Sequence, residues 1–212
     1  MEIQKIAPMD IERESFAIIT RELGERVLDP EQAPIIKRVI HTTADFDYAD
    51  SLYFSENVVE KAKAALREGA HIITDTRMAW SGINKRAAEK LGCTVSCFMS
   101  DEDVAAEAKR LGVTRARVSM DKAAALGEPL IFAIGNAPTA LIRIRELMDQ
   151  GKLDPRLIIG VPVGFVNVVA SKELIMEATA PCIVARGRKG GSNVAACIVN
   201  ALLYQLDEKR GQ

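Results

Sequence analysis

Leu130-Ile131-Phe132-Ala133-Ile134-Gly135-Asn136-Ala137-Pro138-Thr139-Ala140-Leu141 is the stretch on which the fold turns. Its opening run of apolar residues is too short for a helix and shows no polar alternation. It reads as a strand buried on both faces. Gly135 and Asn136 break the run, and Thr139 to Met148 has helical spacing. A buried strand, a tight turn and a helix make half of a βαβ unit.

The same grammar recurs on both sides. His71-Ile72-Ile73-Thr74-Asp75 precedes a helical stretch from Met78 to Leu91. Cys93-Thr94-Val95-Ser96-Cys97-Phe98 precedes a helix capped by Asp101 and ending at Leu111. Leu157-Ile158-Ile159-Gly160-Val161 leads to a helix beginning near Ser171, and Pro181-Cys182-Ile183-Val184-Ala185 to one from Asn193 to Tyr204. Strands alternating with helices predict an α/β fold, with a mainly parallel sheet flanked by helices in a Rossmann-like arrangement. The amino-terminal third reads as a helical segment. One helix is capped by Asp10, carries Phe16, Ile19 and Leu23, and ends near Gly24. A second is opened by Pro30 and buries Ile35, Ile36, Val39 and Ile40. A third starts at Ser55 and Glu56, runs through Ala62, Ala65 and Leu66, and stops at Gly69.

No repeat, low-complexity run or linker divides the chain, so residues 1–212 are expected to form a single domain. A chain of this size buries roughly two-thirds of its unfolded surface and needs no disulfide or metal to fold. Apolar residues at 48% and charged residues at 27% are ordinary globular values. With 28 Lys+Arg against 29 Asp+Glu, nothing draws the chain generally to nucleic acid or to an anionic membrane. Any anionic ligand must be held by locally placed bases. Met1-Glu2-Ile3-Gln4-Lys5 lacks the features of a leader, and the stretch from Leu157 to Val169 is too short and interrupted to span a bilayer. Cys93, Cys97, Cys182 and Cys197 read as reduced, buried thiols, and the expected location is the cytoplasm. Their spacing matches no zinc motif, and no protein metal site is expected.

Ligands of open parallel sheets gather beyond the carboxyl ends of the strands. There the sequence reads Thr74-Asp75-Thr76-Arg77, Gly135-Asn136-Ala137-Pro138-Thr139, Gly160-Val161-Pro162-Val163-Gly164 and Arg186-Gly187-Arg188-Lys189-Gly190-Gly191-Ser192. Glycines and helix starts of this kind can receive an anion, although they are also ordinary punctuation. No Walker A or G-x-G-x-x-G motif is present, which counts against a nucleotide- or phosphate-binding oxidoreductase. Of two histidines, His41 sits where an apolar helix face gives way to a small polar stretch, a plausible place for an acid–base residue. His71 opens a strand and reads as structural, while Asp45 and Asp75 read most simply as caps or turns.

Several segments jointly resemble the precorrin-8X methylmutases of cobalamin biosynthesis. They are Arg13-Glu14-Ser15-Phe16-Ala17-Ile18-Ile19, Arg38-Val39-Ile40-His41, Ala133 to Leu141, Gly160-Val161-Pro162-Val163-Gly164-Phe165-Val166, and Arg186 to Ser192. They occur in family order, and the likeness runs from about residue 10 to 204. The resemblance implies a homodimeric isomerase that moves a methyl group from carbon 11 to carbon 12 of ring C in a corrin precursor, without an external cofactor. It places the family's proton donor at His41, whose side-chain type titrates at about 6.5 and can give and recover a proton near neutrality. It matches Ser15, Arg38 and Arg115 to substrate contacts.

The substrate is fringed by carboxylates, which arginine forks, hydroxyls and helix-start N–H groups can hold. Asn136, Thr139, Arg188 and Ser192 are candidate contacts on that ground; helix capping is at least as strong a reading for Asn136 and Thr139, and Arg188 and Ser192 carry the same ambiguity. Thr42-Thr43-Ala44-Asp45-Phe46-Asp47 after His41, and Ser81 before Gly82, look like the anaerobic branch of the family. That branch works on the cobalt-loaded ring, so any cobalt would arrive inside the substrate. A non-catalytic corrinoid carrier is the rival from another class, and it has no need of His41.

Overall fold

The computed structural model describes residues 7–207. The chain opens with α1 (Pro8–Leu23), α2 (Ala33–Thr43) and a single turn, α3 (Tyr48–Ser51), before β1 (Leu52–Phe54) and α4 (Val58–Arg67). It continues through β2 (His71–Thr74), α5 (Arg77–Gly82), α6 (Lys85–Lys90), β3 (Val95–Ser96), α7 (Glu102–Leu111) and α8 (Arg115–Ala124). The second half alternates regularly: β4 (Leu130–Ile134), α9 (Pro138–Asp149), β5 (Leu157–Gly160), α10 (Val168–Met176), β6 (Cys182–Ala185) and α11 (Ser192–Gln205).

The six strands form one sheet in the order β1-β6-β5-β4-β2-β3. All neighbours are parallel except β1, which runs antiparallel along β6 with Tyr53 opposite Val184. The single α/β fold with a mainly parallel sheet is as the sequence predicts. Strand pleating sends alternate residues to two cores. Ile131, Ala133, Leu157, Ile159, Ile183 and Ala185 face a layer built from α1, α2, α4, α5, α6 and α11. Phe132, Ile134, Ile158, Cys182 and Val184 face a layer of α8, α9 and α10.

Several expectations are corrected by local chemistry. β1 is missing from the sequence reading because Leu52-Tyr53-Phe54 is only three residues long, inside a stretch that looked helical. α8 was likewise missed. Arg115, Arg117, Asp121 and Lys122 break up its apolar pattern, although Ala116, Val118, Met120 and Ala123 are buried. The expected helix from Met78 to Leu91 is two helices. Ile83 is extended, and Asn84 starts the second by accepting the Ala87 N–H at 3.1 Å. The strand expected over Cys93 to Phe98 shrinks to Val95–Ser96.

Helix starts shift too. Asp10 lies inside the first turn of α1 rather than at its cap. The segment Asp29–Gln32 is a turn in which the Asp29 carboxylate accepts the backbone N–H groups of Glu31 and Gln32, so α2 begins at Ala33 instead of Pro30. α4 begins at Val58 rather than Ser55, because Asn57 takes a left-handed conformation with φ of 55°. Asp101 does precede α7, but its side chain makes no capping bond.

The loops at the carboxyl ends of β4, β5 and β6 pack at backbone distance. A Cβ on Gly135 would lie 2.6 Å from Ser192 Cα, and one on Gly190 would lie 2.1 Å from the Val161 carbonyl oxygen. Only glycine permits that approach. Gly191 N–H donates to that same carbonyl at 2.8 Å. Lys172 is buried, and its ammonium donates to the carbonyls of Gly187 and Lys189 at 2.9 and 2.8 Å.

Candidate active site

α2 is amphipathic. Ile35, Ile36, Val39 and Ile40 anchor it to the core, and this fixes which way the rest of the helix points. Arg38 and His41 are one turn apart, and both face a groove against α11. The helix ends where Ala44 adopts a left-handed conformation, φ 53°.

The groove measures about 310 Å³ and is lined by Arg38, His41, Thr42, Gly82, Asn193, Cys197, Asn200 and Tyr204, among others. A second groove of about 360 Å³, with Glu12, Phe16, Lys37 and Gln205 in its walls, shares Arg38 and Tyr204 with it. The His41 ring is exposed and stacks on Phe16 of α1, centroids 5.4 Å apart. The Arg38 guanidinium sits 4.7 Å from the Phe16 ring centre and 5.3 Å from that of Tyr204, within cation–π range of both. One of its terminal nitrogens donates to Glu12 Oε1 at 2.7 Å. Cys197 Sγ donates to the Arg38 carbonyl at 3.2 Å. Burial pushes this thiol up to about 11, so it is neutral at pH 7 and no nucleophile.

Ser15 is also on α1, and its hydroxyl donates to the Ile11 carbonyl at 2.8 Å. Lys189 ties the β6–α11 loop to the end of α2 through Asp45 and Asp47, both at 2.6 Å. The Lys189 ammonium bound to it holds the Asp45 carboxyl below the usual range, and the two carboxylates raise Lys189 in turn. Arg188 in the same loop is exposed, 5.4 Å from the Phe165 ring centre.

The remaining candidates stand elsewhere. The Ser192 hydroxyl is 2.8 Å from that of Thr76. The Thr139 hydroxyl is 2.8 Å from that of Thr114, which begins α8. Arg115 is exposed beside it, in the layer of α8 and α9, on the opposite face of the sheet from His41. The structure therefore brings Arg38 and His41 together on one groove, while Ser15 lines neither groove, and Arg115 and Thr139 stand in the layer on the other face of the sheet.

Neither Asn136 nor Thr139 caps α9 with its side chain. The turn that leads into α9 is bound instead by Asp75, just past the end of β2. Its buried carboxylate accepts the N–H groups of Gly135, Asn136 and Ala137 at 2.9, 2.8 and 2.6 Å. Burial pushes its carboxyl up, and the three donors pull it back. β2 and β4 are neighbours whose onward connections, through α5 and α9, take opposite faces, which is where such sheets usually receive ligands. Here the protein's own carboxylate occupies the helix start that a phosphate would otherwise use. His71 is structural, as expected. Its ring nitrogens lie 2.8 Å from Glu128 Oε2 and 2.8 Å from Ser96 Oγ.

Glu12, Phe16, Asn193, Asn200 and Tyr204 were not singled out in the sequence. A signal existed for the last three. Asn193, Cys197, Asn200 and Tyr204 fall at i, i+4, i+7 and i+11 on a helix that is otherwise almost wholly apolar, and all four line the groove.

Fold and site together define an α/β protein that sets an exposed imidazole beside an arginine in an open groove, with a carboxylate of its own filling the β4–α9 turn. The family model for precorrin-8X methylmutase matches residues 10–205. The cobalt-precorrin-8 methylmutase of Salmonella typhimurium is 47% identical, covering 95% of this chain and 97% of that protein. The one from Priestia megaterium is 44% identical, covering 95% and 90%. The crystal structure of the Thermus thermophilus precorrin-8X methylmutase superposes with a TM-score of 0.85 at 39% identity, over 91% of this chain and 93% of that one. The chain belongs to the precorrin-8X methylmutase family, the intramolecular methyl-shifting isomerases of cobalamin biosynthesis.

Proposed function

We propose that this isomerase converts cobalt-precorrin-8 to cobyrinic acid, with His41 as its acid–base residue. The observation that carries the reading is the exposed imidazole, stacked on Phe16 at the mouth of a groove it shares with Arg38. The reaction is a 1,5-sigmatropic shift. The methyl's bond to carbon 11 breaks as its bond to carbon 12 forms, and no atom is gained or lost. It needs neither a nucleophile nor a methyl donor, which is why no external cofactor is proposed.

His41 donates a hydrogen bond or proton toward ring C, draws electron density as the methyl migrates, and recovers the proton afterwards. In a metal-free ring the acceptor is the ring C nitrogen. Where cobalt holds that nitrogen, the imidazolium acts through its charge and hydrogen bond beside the ring. Ser15 and Arg38 hold peripheral carboxylates, Arg38 as a fork whose ring contacts keep it in place. Arg188 and Ser192 are proposed as outer contacts, and Arg115, Asn136 and Thr139, which stand apart from His41 within one copy, as contacts made across the proposed dimer. The cobalt-loaded substrate is favoured by Ser81, exposed beside Gly82 at the groove, and by the named activities of the Salmonella and Priestia relatives.

Each groove lies near the lower limit for small-molecule sites, about 300 Å³, and a corrin with its side chains is larger. A homodimer whose second copy walls the open side is therefore part of the proposal, and sedimentation velocity at micromolar protein reads it directly. A cytoplasmic location fits the four free cysteines.

The deciding experiment is anaerobic incubation with cobalt-precorrin-8, followed by absorbance, for wild type and His41→Ala. Conversion by wild type, slowed by about 10² or more in the variant while the corrin still binds, is the expected result. Equal rates would remove His41 from the mechanism. Binding without conversion of either the cobalt or the metal-free substrate would make the protein a carrier.

A further inference from the structure

We infer that Glu12 is a built-in competitor for a substrate carboxylate, held on Arg38 until the corrin displaces it. The inference rests on Arg38 being a substrate-binding residue, as proposed above.

Arg38 lies in the wall of both grooves, with His41 lining one and Glu12 the other. Two aromatic rings from two other helices bear on the guanidinium, Phe16 of α1 and Tyr204 of α11. Stacked contacts of that kind leave the N–H edge as the part available to an anion. Glu12 takes a share of that edge with a charge-assisted bond of 2.7 Å. The two partners differ in depth: the Arg38 side chain is 18% exposed and that of Glu12 is 46% exposed. The arginine is thus fixed within the groove, whereas its carboxylate partner reaches it from the solvent side.

An incoming carboxylate is the same chemical group as the one it replaces. The exchange conserves charge at Arg38, and the Glu12 side chain, at 46% exposure, gives up an ion pair at the solvent edge rather than in the core. The surroundings favour the exchange. Lys37, also in the wall of the second groove, donates to Thr20 Oγ1 at 3.0 Å and adds a second positive charge. Glu12 and Phe16 of α1 meet Arg38 of α2 directly.

Such a competitor does two things. It keeps a fixed cation neutralised while the site is empty, and it drives release by reclaiming Arg38 from the product. Glu12 therefore tunes affinity and release and takes no part in the methyl shift.

The test is a titration of the full chain with the stable corrin product of the reaction, read by corrin absorbance at low ionic strength. Wild type, Glu12→Gln, Arg38→Ala and the double variant complete the cycle. Glu12→Gln is expected to bind about fivefold to tenfold tighter, with a correspondingly slower off-rate. The gain should vanish in the Arg38→Ala background. Glu12→Ala, which removes the side chain altogether, should show the same direction. Unchanged or weaker binding in both Glu12 variants, with thermal melting confirming that they are folded, would overturn the inference while leaving the isomerase reading intact. A gain that persists without Arg38 would also overturn it, by showing only a general charge effect. Failure of folded wild type to bind the corrin at all would instead sink the substrate reading, and this inference with it.

Discussion

His41 and Phe16 lie ring against ring, with centroids 5.4 Å apart and planes inclined by 22°, although they come from different helices. An exposed imidazole at a helix end has several rotamers open to it, and a stacked aromatic partner removes most of them. Phe16→Leu should therefore lower kcat by about tenfold while changing substrate affinity less, since Leu keeps bulk and loses the flat face. Stability should fall by only about 1 kcal/mol, because Phe16 is half-buried. Phe16→Tyr should restore the rate, and a Leu variant with wild-type kcat would show that stacking does not position the imidazole.

Asp75→Asn tests the internal cap. The substitution keeps the size but replaces one acceptor oxygen by an amide that points a donor at backbone donors. At least one of the three N–H groups from Gly135 to Ala137 then loses its partner in a buried setting. Loss of a charge-assisted buried bond of this kind costs about 3 kcal/mol. A urea midpoint lowered by that energy divided by m, with m itself unchanged, is the expected outcome. Neutral behaviour would mean that the carboxyl is already protonated in the native protein.

The regular part of the fold was legible because it obeys a single rule. β4, β5 and β6 are short runs buried on both faces, and each is followed by glycine and a helix, so pattern alone placed them to within a residue or two. What escaped was decided by tertiary contact. Leu52–Phe54 becomes a strand because β6 offers it an antiparallel edge, and nothing local demands it. Ile83 and Asn84 interrupt a helical pattern because the Asn84 N–H donates to Asn200 Oδ1 at 2.8 Å, a residue far along the chain. At the site, His41 and Arg38 could be paired from helical spacing, and Ser15 entered through the family resemblance. That Phe16 and Glu12 cross over from another helix to engage them was not written in either local pattern. Asp75 reads from the sequence as a cap or a turn, whereas its carboxylate binds the N–H groups of the β4–α9 turn, some sixty residues later.

Burial pushes the thiols of Cys93, Cys182 and Cys197 up to about 11 from 9.0. Above pH 9 the unfolded chain therefore releases protons that the folded chain retains, and stability falls as pH rises until the folded thiols ionise near pH 11. Each shift corresponds to about 2–3 kcal/mol, present below pH 9 and lost above pH 11. Denaturant unfolding at intervals across that window should show the decline. Cys182→Ala should flatten it by about a third. Native protein at pH 8 should react slowly with a chromogenic thiol reagent at these positions and rapidly once unfolded. Fast native reaction at all three would contradict their burial.

Lys172 titrates in the opposite sense, and comparison with Lys172→Met isolates it from the thiols, which both proteins share. Burial lowers its ammonium from 10.5 to about 8. Below pH 8 both the folded and unfolded chains carry the proton, and the folded state bears the full cost of burying a charge. Between pH 8 and 10.5 the unfolded chain keeps a proton that the folded chain has shed, so this residue's contribution to stability rises with pH. The stability of wild type minus that of Lys172→Met should therefore increase by about 3 kcal/mol across that window. Near pH 7 the two effects in the variant oppose each other. Removing the buried charge stabilises, while the carbonyls of Gly187 and Lys189 lose their shared donor. A difference that stays flat from pH 7 to 10.5 would mean that water reaches the ammonium and that the loop is not closed over it.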